Sequence, residues 1–173
     1  MSERGKAIVL IGFSGAGKTS VAREVAAQTR LPRYDTDEMV CDAFRLTIEE
    51  IFERHGEDFF RNAETGALRK IPAGPAVIAT GGGIVLRDEN VRILRKLGTM
   101  VWLTADEATL FARVSRDETR PLLRTKDRRQ RLAELLTLRE PLYRAVADEA
   151  IDTTHATSQE VAELIIQKWQ WTT

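Results

Sequence analysis

One nine-residue stretch, GFSGAGKTS at positions 12–20, constrains this chain more than any other. Gly12, Gly17, Lys18 and Thr19 satisfy G-x-x-x-x-G-K-[ST], and Gly15 adds a further glycine inside the motif. The run before it, KAIVLI at 6–11, is continuous and rich in β-branched residues, as a strand buried on both faces of a parallel sheet requires. After it, Val21, Val25 and Ala26 recur at helical spacing. A strand that turns through glycines into a helix aims backbone N–H groups and a positive helix end at one point, where phosphate oxygens bind. In such a cradle Ser14, Gly15, Ala16, Gly17 and Ser20 surround the phosphates, Lys18 reaches the β- and γ-phosphates, and the Thr19 hydroxyl sits on Mg²⁺. A chance glycine turn is the bland alternative, and the position of the motif between strand and helix argues against it. The chain reads as a binder of a nucleoside triphosphate.

The rest of the chain continues the alternation. A weaker strand signal covers 31–35, and 38–70 is helical, with separate segments opening at TIEEIF (47–52) and GEDFFRNAETGALRKI (56–71). PAVIAT at 75–80 is a third strand, followed by Gly81-Gly82-Gly83; a helix over 88–97 leads to a fourth strand, TMVWLT at 99–104. A helix from Asp106, a basic segment, a helix to Ala147, a short strand near 149–153 and a closing helix follow. Strands alternating with helices predict an α/β fold with a mostly parallel sheet and right-handed crossovers. The 173 residues carry no repeat and no Pro/Gly/Ser-rich linker, so they read as one domain.

Charge and composition exclude several classes. Lys plus Arg equals Asp plus Glu at 26 each, which argues against a dedicated nucleic-acid binder. The apolar run AIVLIGF is too short to span a bilayer and no targeting segment is visible, so the expected location is the cytoplasm. The lone Cys41 fits a reducing compartment, with nothing near it in sequence to activate a thiol. No sustained heptad or apolar stripe calls for a partner, and the expected state is a monomer.

The phosphate motif leaves the type of protein open. A GTPase needs a D-x-x-G switch and an N/T-K-x-D base reader; neither is present, since TKDR at 125–128 ends in arginine. A motor-type ATPase ends its third strand in a metal-associated Asp, whereas this strand runs into glycines. The acid must then come from elsewhere, and YDTD at 34–37 supplies Asp35 and Asp37. Asp35 lies 17 residues after Lys18, about one helix and a loop, which puts it near the carboxyl end of the second strand, where open α/β sheets bind ligands. On a strand, positions i and i+2 face the same way, so both carboxylates are expected in one cleft, Asp35 toward metal and Asp37 toward a substrate hydroxyl, with Thr36 a mere spacer. A cap on the following helix is the bland alternative for Asp37.

Four further features join them. Arg61 follows the pair Phe59-Phe60, the triple glycine ends a buried strand, Arg120 heads RPLL, and Arg139 begins REPLYR. A solvated arginine is the ordinary reading of each guanidinium, and a tight turn that of the glycines. The stretch 113–131 holds eight basic residues against three acids. It is either a solvated helix or a mobile basic lid, over about 115–127, of the kind that excludes water from phosphoryl transfer.

Taken together and in order, GFSGAGKTS, DTD, TIEEIFERHGEDFFR, ATGGGIV, RPLL and REPLYRAVA resemble the shikimate kinase family over residues 6–153. The resemblance implies the fold of nucleoside-monophosphate kinases, a five-stranded parallel sheet of order 2-3-1-4-5. It implies transfer of the γ-phosphate of ATP to shikimate, giving shikimate 3-phosphate. Carried over by position, Asp37 holds ring hydroxyls and acts as base. Arg61 and Arg139 grip the substrate carboxylate beside Gly81, Gly82 and Gly83, and Phe52 and Phe60 wall the ring. Arg120 and Lys18 flank the transferring phosphate. Thr19 and Asp35 serve Mg²⁺, and Arg113 stacks on adenine. Ala22 departs from the glycine many relatives carry, and the tail around His155 leaves the adenine contact open; His55 and His155 are expected to do no chemistry. Gluconate kinases share the phosphate loop but expect His-Pro after the acids, where this chain has EMV. A nucleotide kinase has no need of the REPLYR arginine. A regulatory module without catalysis would not keep this residue set.

Overall fold

Ala7–Ile11 (β1) is buried at every position because it is the central strand of the sheet. In this computed structural model, which describes residues 6–116 and 127–169, β1 pairs in parallel with Val77–Ala79 (β3) on one side and Gly98–Thr104 (β4) on the other. Arg33–Asp35 (β2) and Glu149–Asp152 (β5) complete a five-stranded parallel sheet of order β2-β3-β1-β4-β5, the order the family resemblance implies. A strand hydrogen-bonded on both edges and covered by helices has no solvated face, which is why AIVLI carries no polar residue.

The helices are Lys18–Thr29 (α1), Thr36–Phe44 (α2), Ile48–His55 (α3), Glu57–Leu68 (α4), Asp88–Leu97 (α5), Glu107–Ser115 (α6), Arg128–Val146 (α7) and Ser158–Trp169 (α8). None among the described residues is long and apolar enough to cross a membrane. The main core joins the sheet to α1, α5, α7 and α8 through residues such as Val9, Leu94, Leu135 and Ile165. A second, smaller core, Val40, Ile51, Phe60 and Ala67, binds α2, α3 and α4 into a separate cap. The start of α3 is fixed by a capping box in which the Thr47 hydroxyl accepts from Glu50 N and the Glu50 carboxylate accepts from Thr47 N.

The register explains why distant motifs meet. Leu10 pairs with Ala79, and Ala79 with Asp35, so these residues form one row across three strands. The next residues along each strand, leading to the 12–19 loop, the triple glycine and the acidic pair, therefore emerge together at the carboxyl edge of the sheet. The order reverses beside β1, and open sheets bind ligands at such a crevice.

One expectation is corrected here. The chain leaves β2 at Asp35, and Asp37 lies in the first turn of α2 rather than on the strand. The Asp35 carboxylate is the cap: it accepts from Asp37 N at 3.0 Å and Glu38 N at 3.3 Å. Satisfying orphan helix N–H groups with the last strand carboxylate ends the strand at that point.

Candidate active site

The glycines of the 12–20 loop are there for backbone shape. Gly12, Gly15 and Gly17 have φ of 141°, 86° and 94°, a region costly for any residue with a Cβ. Gly17 is the cap of α1 and supplies no side-chain hydrogen bond, so the first N–H groups of that helix stay available to an anion. Lys18 is buried, its Nζ donating to Gly12 O at 2.8 Å and Phe13 O at 2.9 Å, so its cation is held inside the loop. The loop opens on a cavity of about 410 Å³ that reaches from Arg113 and Thr153 to Asp37, Thr80 and Gly82.

Asp35 and Asp37 end in different environments. Asp35 is buried, and its second oxygen accepts from the Thr19 hydroxyl at 2.7 Å, which joins β2 to the start of α1. Asp37 is half-buried and lines the cavity. The two carboxylates do share one cleft, through a strand end and a helix turn instead of a strand face. Thr36 is no spacer: it is fully buried, and its hydroxyl accepts from Gly81 N at 2.9 Å, tying the acidic pair to the triple glycine.

Arg61 and Arg139 are not surface charges; they are 6% and 5% exposed. Arg61 is held from within α4, donating to Glu64 at 3.0 Å and to Glu57 at 3.1 Å, with its guanidinium 5.3 Å from the Phe60 ring. Burial opposes its charge, but Glu64 and Glu57 outweigh that and hold its pKa above the ordinary value. Arg139, on α7, is pulled below its ordinary value, first by burial and further by the nearby Arg61. Its Nε is buried with no hydrogen-bond partner among the described residues. Side chains crowd two positions of the 81–83 turn: a Cβ on Gly83 would displace the Arg61 guanidinium, and one on Gly81 would displace the Glu64 and Asp37 carboxyls. Tyr143, one turn after Arg139, donates to Gly82 O and locks that turn to α7. Phe52 and Phe60 face each other at 5.0 Å between centroids beside this cluster.

At the other end of the cavity, Arg113 donates to Gly15 O at 3.1 Å and to Thr153 O at 2.8 Å. The buried Thr153 hydroxyl also lies 3.1 Å from Ala16 O and 2.9 Å from Thr104 O. Arg113, the phosphate loop and the β4 end are thereby joined at one side chain. Arg120 and most of the expected lid lie outside the described residues.

The family model for shikimate kinase matches residues 14–170. This chain belongs to the shikimate kinase family. The shikimate kinase of Thermodesulfovibrio yellowstonii is 45% identical over 95% of this chain and 95% of its own. That of Caldanaerobacter subterraneus subsp. tengcongensis is 42% identical over 95% and 96%. Among solved structures, shikimate kinase from Acinetobacter baumannii in complex with shikimate superposes with a TM-score of 0.90 at 36% identity, covering 96% of this chain and 93% of that one. Members of the family use ATP.

Within this member of the shikimate kinase family, the motif residues of the described segments gather at one sheet edge. Sequence reading missed four of their supports: Glu57 and Glu64, which hold Arg61; Tyr143, which holds the glycine turn; and Thr153, which holds Arg113. The first two carried a readable signal, acids at i−4 and i+3 of an arginine on a helix. Thr153 carried none, because its partners lie 40 to 137 residues away.

Proposed function

We propose that this chain transfers the γ-phosphate of ATP to the 3-hydroxyl of shikimate, giving shikimate 3-phosphate and ADP for aromatic amino-acid biosynthesis. The observation that carries the substrate assignment is the buried pair Arg61 and Arg139, which act on each other, the latter with an Nε that has no hydrogen-bond partner among the described residues, at the 81–83 turn that also meets Asp37. Two guanidiniums buried at one end and a carboxylate at the other fit a small molecule with one carboxylate and neighbouring hydroxyls. In this reading Arg61 and Arg139 hold the substrate carboxylate with Gly82 and Gly83 N–H. The Gly81 N–H is committed to Thr36. Phe52 and Phe60 face the ring, and Asp37 accepts the attacking hydroxyl's proton.

Phosphoryl transfer needs positioning and charge neutralisation more than covalent chemistry. Lys18 moves its ammonium from loop carbonyls to phosphate oxygens, the loop N–H groups hold the other oxygens, and Arg113 faces the base. Arg120, from the basic segment 115–127, completes the cation set. The hydroxyl of Thr19 and the carboxylate of Asp35 are hard oxygen donors 2.7 Å apart and fit Mg²⁺. No group of three or more His, Cys, Asp or Glu among the described residues makes a metal cage, in keeping with a cation shared with phosphate oxygens. Mg²⁺ there would offset negative charge on the β- and γ-phosphates. A cytoplasmic monomer, taking a small-molecule substrate and no nucleic acid or membrane, goes with this reading.

The test is ADP release on adding shikimate, compared with gluconate, quinate and a nucleoside monophosphate, with and without Mg²⁺. Shikimate with Mg²⁺ is expected to give the only large stimulation. Absence of stimulation by shikimate sinks the assignment.

A further inference from the structure

The roles above leave half of one buried carboxyl, that of Glu64, without a task. Glu64 is 0% exposed, and one of its oxygens accepts from Arg61 at 3.0 Å. The other, Oε1, has no hydrogen-bond partner among the described residues. An ionised carboxylate with an unsatisfied buried oxygen is strongly unfavourable unless a proton or a second donor arrives. The groups facing it are Arg61 on its own helix, Asp37 from α2, and Arg139 and Tyr143 from α7. Glu64 Oε1 and Asp37 Oδ1 both lie within 2.6 Å of the point where a side chain on Gly81 would begin, so the two carboxyl groups are neighbours. Two adjacent buried carboxyls do not readily both ionise. Only Arg61 hydrogen-bonds Glu64, and it is shared with Glu57; Arg139 acts on Glu64 from a greater distance.

If the substrate carboxylate docks on Arg61 and Arg139, as the functional reading has it and on which this inference rests, a further anion competes for the same cation. We propose that binding of the carboxylate substrate is coupled to uptake of one proton from solvent at Glu64, whose acid form then donates from Oε1 toward Asp37. The proton returns to solvent when the product leaves. Glu64 is thus a positioning residue: neutral, it leaves Asp37 as the anion facing the hydroxyl. Burial, opposed by Arg61 and reinforced by Asp37, pushes the Glu64 carboxyl up to about 7. A group poised there changes protonation when a neighbouring charge arrives at physiological pH.

The experiment is calorimetric titration with shikimate at about pH 7 in two buffers of different ionisation enthalpy, together with a pH series of Kd. The expected result is a buffer-dependent heat corresponding to net proton uptake, and affinity that weakens by up to about tenfold per pH unit above pH 7. Glu64→Gln keeps an acceptor for Arg61 and cannot titrate, so its heat should be buffer-independent and its pH profile flatter. Binding without proton uptake in the unaltered protein, or unchanged uptake in folded Glu64→Gln, overturns the role of Glu64. Should Glu64→Gln fail to fold by circular dichroism, the unaltered protein's buffer and pH series decide alone. Absence of any shikimate binding would instead sink the functional reading on which this one stands.

Discussion

Thr36 joins the acidic pair to the glycine turn through a single hydroxyl. Its hydroxyl is the acceptor for a buried N–H at the start of the triple-glycine turn. Thr36→Val keeps the shape and orphans Gly81 N, which costs about 1–3 kcal/mol. A lower Tm and a raised KM for shikimate, with the KM for ATP little changed, are the expected outcome; Thr36→Ser should restore both. Asp37→Asn keeps size and removes the carboxylate proposed above as the proton acceptor. Turnover is expected to vanish while ATP binding, measured by titration, stays nearly intact. Collapse of ATP affinity would mean that Asp35 and Asp37 have exchanged roles. The acidic pair was legible from its distance to Lys18, but its geometry was not. Spacing shows how far apart two residues are, whereas the helix cap on Asp35 decided which way each carboxylate turned.

Whole elements meet where no local pattern announces it. α6, β5 and the phosphate loop are joined through Thr153, whose hydroxyl is within hydrogen-bond distance of Arg113, Ala16 O and Thr104 O. Thr153→Val should loosen Arg113 and the loop together, raising the KM for ATP several-fold while the KM for shikimate stays unchanged. Thr153→Ser should behave as the unaltered chain. A purely structural role would lower Tm without separating the two KM values. α4 and α7 converge on the glycine turn in a similar way, Arg61 from one and Tyr143 from the other. That a helical segment opens at 56 and that another runs to about Ala147 was readable from the sequence. That Arg61 and Tyr143 would meet at one turn was not, because that turn lies at the sheet edge, 22 and 61 residues from them along the chain.

Burial of Glu64 links the stability of the molecule to pH. Its carboxyl is raised from 4.5 to about 7, so the folded protein binds the proton more tightly than the unfolded chain. The stabilisation from that proton is complete below the unfolded value and is lost as pH rises through about 7, a change on the order of 3 kcal/mol. Glu64→Gln lacks this dependence. The Tm of the unaltered protein should therefore fall, relative to that of Glu64→Gln, as pH is raised from about 5 to about 8. Parallel Tm curves would show that Glu64 does not titrate in this range.

Strand identity, the phosphate loop, the helix pattern and the residue types suited to phosphate and carboxylate all followed from the sequence, because each depends on periodicity or on spacing within some twenty residues. Tertiary structure alone decided the rest. Leu10, Ala79 and Asp35 share one row of the sheet, so loops separated by most of the chain emerge at a single edge. There burial, unseen in any local pattern, takes Arg61 and Arg139 out of solvent and pushes the Glu64 carboxyl up to about 7.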